Sequence, residues 1–162
     1  MPSGQSPALK LSVVIPVYNE QETIGEVIDR VRSVDLGPIE KEIIVSDDGS
    51  TDGSADFLAD EQSEARPNGV DVHLIQTPDP LGVAGARNRG LAQAQGEIVV
   101  FCDAHMDLPE RWWQPIALTL QRPEVGVVGP GIGVMGRPDY PVACGQRIAE
   151  AKLRVEWLIR DG

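Results

Sequence analysis

Apolar positions along this chain fall into short dense runs separated by stretches of helical spacing. Leu11 to Val17 (LSVVIPV), Glu42 to Ser46 (EIIVS) and Ile98 to Cys102 (IVVFC) are rich in Val and Ile. Runs of this length fit strands buried in a parallel sheet better than helices. Pro16, near the end of the first run, places the end of its ladder there. Val70 to Gln76 (VDVHLIQ) alternates apolar and polar, the pattern of a half-exposed strand, with His73 on the polar side. Ile24, Val27, Ile28 and Val31 recur at three- and four-residue intervals, which predicts a helix with one buried face over about Gln21 to Ser33. A second helix is expected to run to about Gln62, capped by Ser50, Thr51 or Asp52. A third, rich in Ala, spans Val83 to Gln95. A fourth starts at Pro109, since proline is allowed in a first turn, and ends near Gln121. Val125 to Val128 reads as a further strand, and residues 129–141 (GPGIGVMGRPDYP) hold too much Gly and Pro for regular structure. Arg147 to Arg160 returns to helical spacing through Ile148, Ala151, Val155 and Leu158, and residues 1–9 read as a disordered tail.

Strands alternating with helices predict an α/β fold, a mainly parallel sheet with helices on both faces and right-handed crossovers. Such sheets bind ligands at the carboxyl ends of their strands. The polar groups gathered there are Asn19 and Glu20, Asp47 and Asp48, and Asp103 and His105. Residues two apart in extended chain point to one side, so Asp103 and His105 can converge on one ion. An Asp oxygen with a His nitrogen suits Mn²⁺ or Zn²⁺ better than Ca²⁺. The plainer alternative makes Asp103 a helix cap and His105 a loop residue. Neither a G-x-G-x-x-G after the first strand nor a G-x-x-x-x-G-K-[ST] is present, which excludes the common dinucleotide and P-loop cradles.

Composition narrows the partners. A chain of 162 residues fits one domain, and a formal net charge of −11 disfavours nucleic acid and anionic membrane, both of which need a basic face. An anionic small substrate is still allowed if a metal ion or a few local cations offset the acid groups. Cys102 and Cys144 are too few for a disulfide framework and read as unpaired thiols in a reducing compartment. With no signal peptide and no apolar run of membrane-spanning length visible, a cytoplasmic protein without a transmembrane segment is expected.

Four motifs, in order, carry a family resemblance. They are Val13-Val14-Ile15-Pro16-Val17-Tyr18-Asn19-Glu20, then Ile43-Ile44-Val45-Ser46-Asp47-Asp48-Gly49-Ser50-Thr51-Asp52, then Gly82-Val83-Ala84-Gly85-Ala86-Arg87-Asn88, then Asp103-Ala104-His105. From about residue 11 to 120 the chain resembles family 2 glycosyltransferases of the GT-A fold. The D-x-H triplet, with Trp112-Trp113 beyond it, is similar to the polypeptide N-acetylgalactosaminyltransferase branch. The resemblance implies a metal-dependent transfer of sugar from a nucleotide-sugar, a UDP-sugar first among them, to an acceptor of saccharide, lipid or protein class. It implies that Pro16, Tyr18, Glu20 and Asp48 border the nucleobase and ribose, with a carboxylate accepting the uracil N–H. Asp47 would support that loop, Arg87 would face the diphosphate, and Asp103 with His105 would hold Mn²⁺ or Mg²⁺.

Relatives continue past the metal motif into a stretch that builds the acceptor side and supplies a general base. Glu150, Glu156 and Asp161 fit the solvated face of a helix, so no catalytic base is assigned. Residues 10–162 are therefore expected to form a GT-A nucleotide-sugar-binding domain in which the donor half is present and the acceptor half truncated. The alternative is a non-catalytic nucleotide-sugar-binding or assembly module. Trp112 and Trp113 read as core or interface residues before sugar-stacking ones. A helix over 147–160 would leave Leu153 and Trp157 off its apolar face, which makes a homo-oligomer one of the candidate assemblies.

Overall fold

The dense apolar runs become one parallel sheet. The structure, a computed structural model, describes residues 9–61, 69–104, 111–129, 131, 137, 142–149 and 154–160, and the chain divides into two compact units, Met1–Met106 and Asp107–Gly162. In the first unit β1 (Lys10–Val17), β2 (Glu40–Asp47), β3 (Asp71–Gln76) and β4 (Ile98–Phe101) lie in the order β3-β2-β1-β4, every pair parallel. The helices α1 (Ile24–Ser33), α2 (Asp56–Glu61) and α3 (Gly82–Gln93) connect them. With right-handed crossovers, the step from β3 back across to β4 puts α3 on the face opposite α1 and α2.

The two central strands form the core. Val13, Val14, Ile15, Val17, Ile43, Ile44 and Val45 are all buried, each contributing about 1.5–3 kcal/mol over an exposed position. On α1 the predicted face, Ile24, Val27, Ile28 and Val31, is the buried one. Lys41 Nζ closes the carboxyl end of that helix, donating to the carbonyls of Val31, Arg32 and Val34 at 2.8, 2.6 and 2.5 Å. The helix α3 packs on β1 and β2. A Cβ at Gly90 would stand 2.3 Å from Val14 Cγ1, and one at Gly96 would stand 2.5 Å from the Lys10 carbonyl, so only glycine allows so close an approach.

Around the turn between α3 and β4, residues 94–97, lies a polar cluster centred on a buried carboxylate. Glu42 is fully buried in β2, and its Oε1 accepts from the Ser12 hydroxyl at 2.6 Å and the Gln95 N–H at 2.7 Å. Lys10 Nζ stands 3.0 Å from Oε2. Burial pushes the Glu42 carboxyl up, but these hydrogen bonds and the Lys10 charge outweigh it and hold the group below the usual carboxylate value.

The second unit contains α4 (Trp113–Leu120) and an antiparallel pair, β5 (Val142–Ala149) with β6 (Arg154–Arg160), in the register Arg147↔Glu156 and Ile148↔Val155. The expected helix over Arg147 to Arg160 is therefore wrong. Val155, Trp157 and Ile159 alternate with Arg154, Glu156, Leu158 and Arg160, a period of two broken at Leu158 that competes with the helical spacing, and the residue types favour a strand. Val125 to Val128 forms no strand. The fourth strand is also less buried than its composition suggests. It lies beside β1 only, at an edge among the described strands, so Ile98 to Val100 are half-buried and Phe101 is exposed. The start expected for α4 at Pro109 and most of residues 129–141 lie outside the described residues. No helix among the described residues is long and apolar enough to cross a membrane.

Candidate active site

Pro16 marks where the sheet opens. The Val14 carbonyl accepts from the Cys102 N–H at 3.0 Å, toward β4, and the Val17 carbonyl accepts from the Asp48 N–H at 2.8 Å, toward β2. By alternation Pro16 faces the β4 side, where pairing has already ended at Val14↔Phe101, so its missing N–H leaves no gap in the ladder. The ladder with β2 continues to Val17, one residue past the predicted stop. Between the ends of β1 and β4 the strand order reverses, the position where open α/β sheets bind ligands. A cleft of about 460 Å³ lies there. Pro16, Tyr18 and Glu20 line it from β1, Asp48 from β2, Pro80, Gly82, Val83 and Ala86 from the start of α3, and Asp103 and Ala104 from the end of β4.

Two polar loops, after β1 and after β2, are stitched together on one side of this cleft. Asn19, at φ 55, donates its N–H to Ser50 Oγ at 3.0 Å and accepts from the Thr51 N–H at 2.9 Å. The Glu20 N–H donates to Ser54 Oγ at 2.8 Å, and the Gln21 N–H donates to Asp52 Oδ2 at 3.0 Å. The Ser54 hydroxyl donates to Asp52 Oδ1, and that bond, with those from the Gln21 and Ser54 N–H groups, holds the Asp52 carboxyl below its ordinary value. These contacts correct the expected cap. Ser50 and Asp52 bind the neighbouring loop, and α2 begins later, at Asp56.

Asp47 and Asp48 have different partners. Asp47, 3% exposed, accepts from the Ser50 N–H at 2.9 Å and from Gln76 Nε2 at 3.3 Å, and it does not line the cleft. Asp48 accepts from the N–H groups of Leu81 and Gly82, at 2.6 and 2.7 Å, at the start of α3. A carboxylate there satisfies two of the helix's open N–H groups and meets the positive end of its dipole.

Arg87 and Asp103 form an ion pair, Nη2 to Oδ1 at 2.7 Å, and the guanidinium lies 5.9 Å over the Phe101 ring. Asp103 Oδ2 accepts no hydrogen bond among the described residues, so one carboxylate oxygen remains for a hard cation. Its predicted partner His105 lies outside the described residues. Among the described residues no three His, Cys, Asp or Glu side chains cluster as a metal cage.

Five sequence-predicted residues thus line one cleft: Pro16, Tyr18, Glu20, Asp48 and Asp103. Arg87 reaches it through Asp103, and Asp47 stands behind it. Sequence reasoning missed the wall made by Pro80, Val83 and Ala86. The motif beginning at Gly82 was the available signal, because a glycine at φ 76 lets the loop turn into α3 beside Asp48. Trp112 and Trp113 belong to the second unit and are half-buried.

Comparison with known proteins agrees with this frame. The chain is 32% identical over 119 residues to glycosyltransferase AglE of Haloferax volcanii, covering 74% of this chain and 38% of that protein. It is 39% identical over 100 residues to an undecaprenyl-phosphate 4-deoxy-4-formamido-L-arabinose transferase of Pseudomonas fluorescens, covering 61% of this chain and 28% of the relative. The chain therefore spans well under half the length of these curated relatives. Among solved structures it superposes on mannosyltransferase PcManGT of Pyrobaculum calidifontis, in complex with GDP-Man and Mn²⁺, with a TM-score of 0.57 at 28% identity, covering 76% of this chain and 35% of the other. It also superposes on glucosyl-3-phosphoglycerate synthase of Mycobacterium tuberculosis, with a TM-score of 0.57 at 27% identity, covering 80% and 46%. The fold is of the GT-A type. The family described as Glycosyl transferase family 2 matches residues 12–154, a span that takes in all of the parallel sheet but the first two residues of β1, the cleft and all four motifs, and the chain belongs to that family.

Proposed function

We propose that this chain forms the donor-binding part of a metal-dependent glycosyltransferase, taking a nucleoside-diphosphate sugar in the cleft between β1 and β4. The observation that carries the reading is the Arg87–Asp103 pair, whose carboxylate lines the same cleft as Tyr18, Glu20 and Asp48. It sets a cation and a partly committed carboxylate where a diphosphate would lie. Asp103, with His105 as the second member of the D-x-H motif, would hold Mn²⁺ or Mg²⁺; a bound ion of this kind offsets the charge that develops on the departing diphosphate. PcManGT binds Mn²⁺ with its nucleotide-sugar, which supports the same assignment here.

The chain's own groups act as follows. Pro16 and Tyr18 border the base and ribose, and Glu20 extends that wall. Asp48 keeps the wall against α3, and its oxygens each retain a lone pair that can accept an imide N–H such as that of uracil. A UDP-sugar is the first candidate donor; guanine also presents a ring N–H, so a GDP-sugar is the second. Arg87 donates to diphosphate oxygens as the anomeric C–O bond breaks. The free, buried Cys102 suits a reducing compartment, so the reading includes a cytoplasmic location. The acceptor is a saccharide, lipid or protein group.

Melting measured with UDP-glucose or GDP-mannose, with and without Mn²⁺, tests this. At a hundredfold excess over Kd, binding stabilises by about 2.7 kcal/mol, a rise of about 5–10 °C. No rise with either donor, with or without Mn²⁺, overturns the reading. A rise with detectable release of sugar indicates a transferase site, and a rise without release indicates a binding module.

A further inference from the structure

A carboxylate from β2 or the residue just after it stands near each end of α3. Asp48 accepts from Leu81 and Gly82 where the helix starts, and Glu42 accepts from the Gln95 N–H two residues past its end. Twelve helical residues are about 18 Å long, and six strand residues span about 20 Å, so the two attachments are spaced as the helix requires. Asp48 belongs to the cleft, whereas Glu42 lies at the other end of the sheet, fully buried. A carboxylate there is costly to desolvate, and an apolar side chain would serve packing alone. Its partners converge on a single place, the turn between α3 and β4. Ser12 Oγ donates to Glu42 and accepts from the Gly96 N–H at 2.8 Å. Lys10 Nζ reaches both Glu42 and Gln95 Oε1, and the Lys10 N–H donates to Glu97 Oε2 at 2.8 Å.

This turn joins the two elements that carry the ion pair, Arg87 on α3 and Asp103 just past β4. We infer that Glu42 is a positioning residue for the donor site: by holding the α3–β4 turn, it fixes where Arg87 meets Asp103. The inference rests on the proposed donor cleft. With the Glu42 attachment lost, α3 keeps its Asp48 bonds at one end and pivots about them, which moves Arg87 relative to the end of β4.

The test compares Glu42→Ala, Glu42→Gln and Arg87→Ala in the full chain by amide hydrogen exchange and by binding of UDP-glucose and GDP-mannose with Mn²⁺. The expected result for Glu42→Ala is at least tenfold faster exchange along α3 from its carboxyl end as far as the turn that carries Arg87, with the Leu81 and Gly82 amides still protected by Asp48, and about tenfold weaker donor binding. Adding Arg87→Ala to it should weaken binding little further, because Glu42 acts through Arg87. Glu42→Gln keeps a carbonyl for the Gln95 N–H and should restore both readouts. Faster exchange confined to residues 94–97, or full additivity with Arg87→Ala, overturns the inference. Should Glu42→Ala fail to fold, Gln95→Pro removes the same N–H, with Gln95→Ala as the side-chain control. Ala94, at φ −62 and ψ 132, already has the backbone that a residue before proline takes. If the wild-type chain binds neither donor, the cleft reading fails, and the exchange pattern alone then decides whether Glu42 controls α3.

Discussion

Arg87 is held from two sides, by Asp103 Oδ1 at 2.7 Å and by the Phe101 ring at 5.9 Å. The paired side chains are 37% and 40% exposed, so solvent screens the pair and its share of folding stability is at most about 1 kcal/mol. Its expected value lies in presenting a cation to a ligand. Arg87→Ala should lower stability in urea denaturation by less than about 1 kcal/mol, yet raise the donor Kd about tenfold or more, as loss of a charged hydrogen bond does. Arg87→Lys should recover little, because an ammonium lacks the planar fork that bridges two acceptors. Calorimetric titration beside a melt separates the two effects.

Asp48 is committed to backbone N–H groups through both oxygens. In Asp48→Asn one oxygen becomes an NH₂ group facing an N–H, and the helix loses a negative charge at its positive end. A destabilisation of about 1–2 kcal/mol is expected, with faster exchange of the Leu81 and Gly82 amides. Asp47→Asn should act differently. Its oxygens serve Ser50 and Gln76 behind the cleft, so stability falls while Leu81 and Gly82 keep their protection.

Much of this arrangement was legible in the residues. The β-branched runs of β1 and β2 and the face of α1 admit one reading each, and the acids at strand ends follow from parallel pairing. Other features depend on neighbours that a linear reading does not supply. Ile98 to Phe101 has the composition of a buried strand, but among the described strands it pairs with β1 alone, and Phe101 is exposed. Ser50 and Asp52 have the chemistry of a helix cap, but the β1–α1 loop competes for the same side chains and takes them. Arg147 to Arg160 satisfies two periods at once, and strand pairing between Val142–Ala149 and Arg154–Arg160 decides it. Glu42 carried no signal as an organising group, because its partners Ser12 and Gln95 are distant in sequence.

Gly90 sets the distance between α3 and the sheet. A methyl group there would meet Val14 Cγ1 at 2.3 Å, and Val14 is buried in the centre of β1 with no free space. Gly90→Ala should therefore cost about 1–3 kcal/mol by overpacking, despite alanine's better helix propensity. Gly25→Ala, at a half-buried position of α1 with nothing within 4 Å of the added carbon, should be neutral or stabilising. The denaturant midpoint should fall for Gly90→Ala and hold or rise for Gly25→Ala.

Cys102 is buried directly before Asp103, and burial together with that neighbouring negative charge pushes its thiol up to about 11. Alkylation by iodoacetamide at pH 8 should be at least a hundredfold slower at Cys102 than at a free thiol, and should become fast in urea. Because the folded value is the raised one, stability is unaffected below the unfolded thiol value of about 8.5 and declines as pH rises from there toward 11. Peptide mapping of the alkylated chain reads the first effect, and urea midpoints at pH 8 and 10 read the second.

Glu42 supplies the acid limb. Lys10 Nζ stands 3.0 Å from it and the His73 ring nitrogen 3.9 Å, and the Ser12 and Gln95 hydrogen bonds with the Lys10 charge outweigh burial and hold the carboxyl below its usual value. In the unfolded chain the same group titrates near 4.3. A carboxyl depressed on folding stabilises fully above its unfolded value, and the contribution disappears as pH falls from there through the folded value. Wild type should thus exceed Glu42→Gln in stability at pH 7, and the gap should narrow steadily below about pH 4.5. Urea denaturation of both proteins at pH 7, 5, 4 and 3.5 measures the gap directly. A gap constant over that range would mean that folding does not lower the Glu42 carboxyl and that its charge adds nothing to stability beyond the neutral hydrogen bonds that hold the α3–β4 turn.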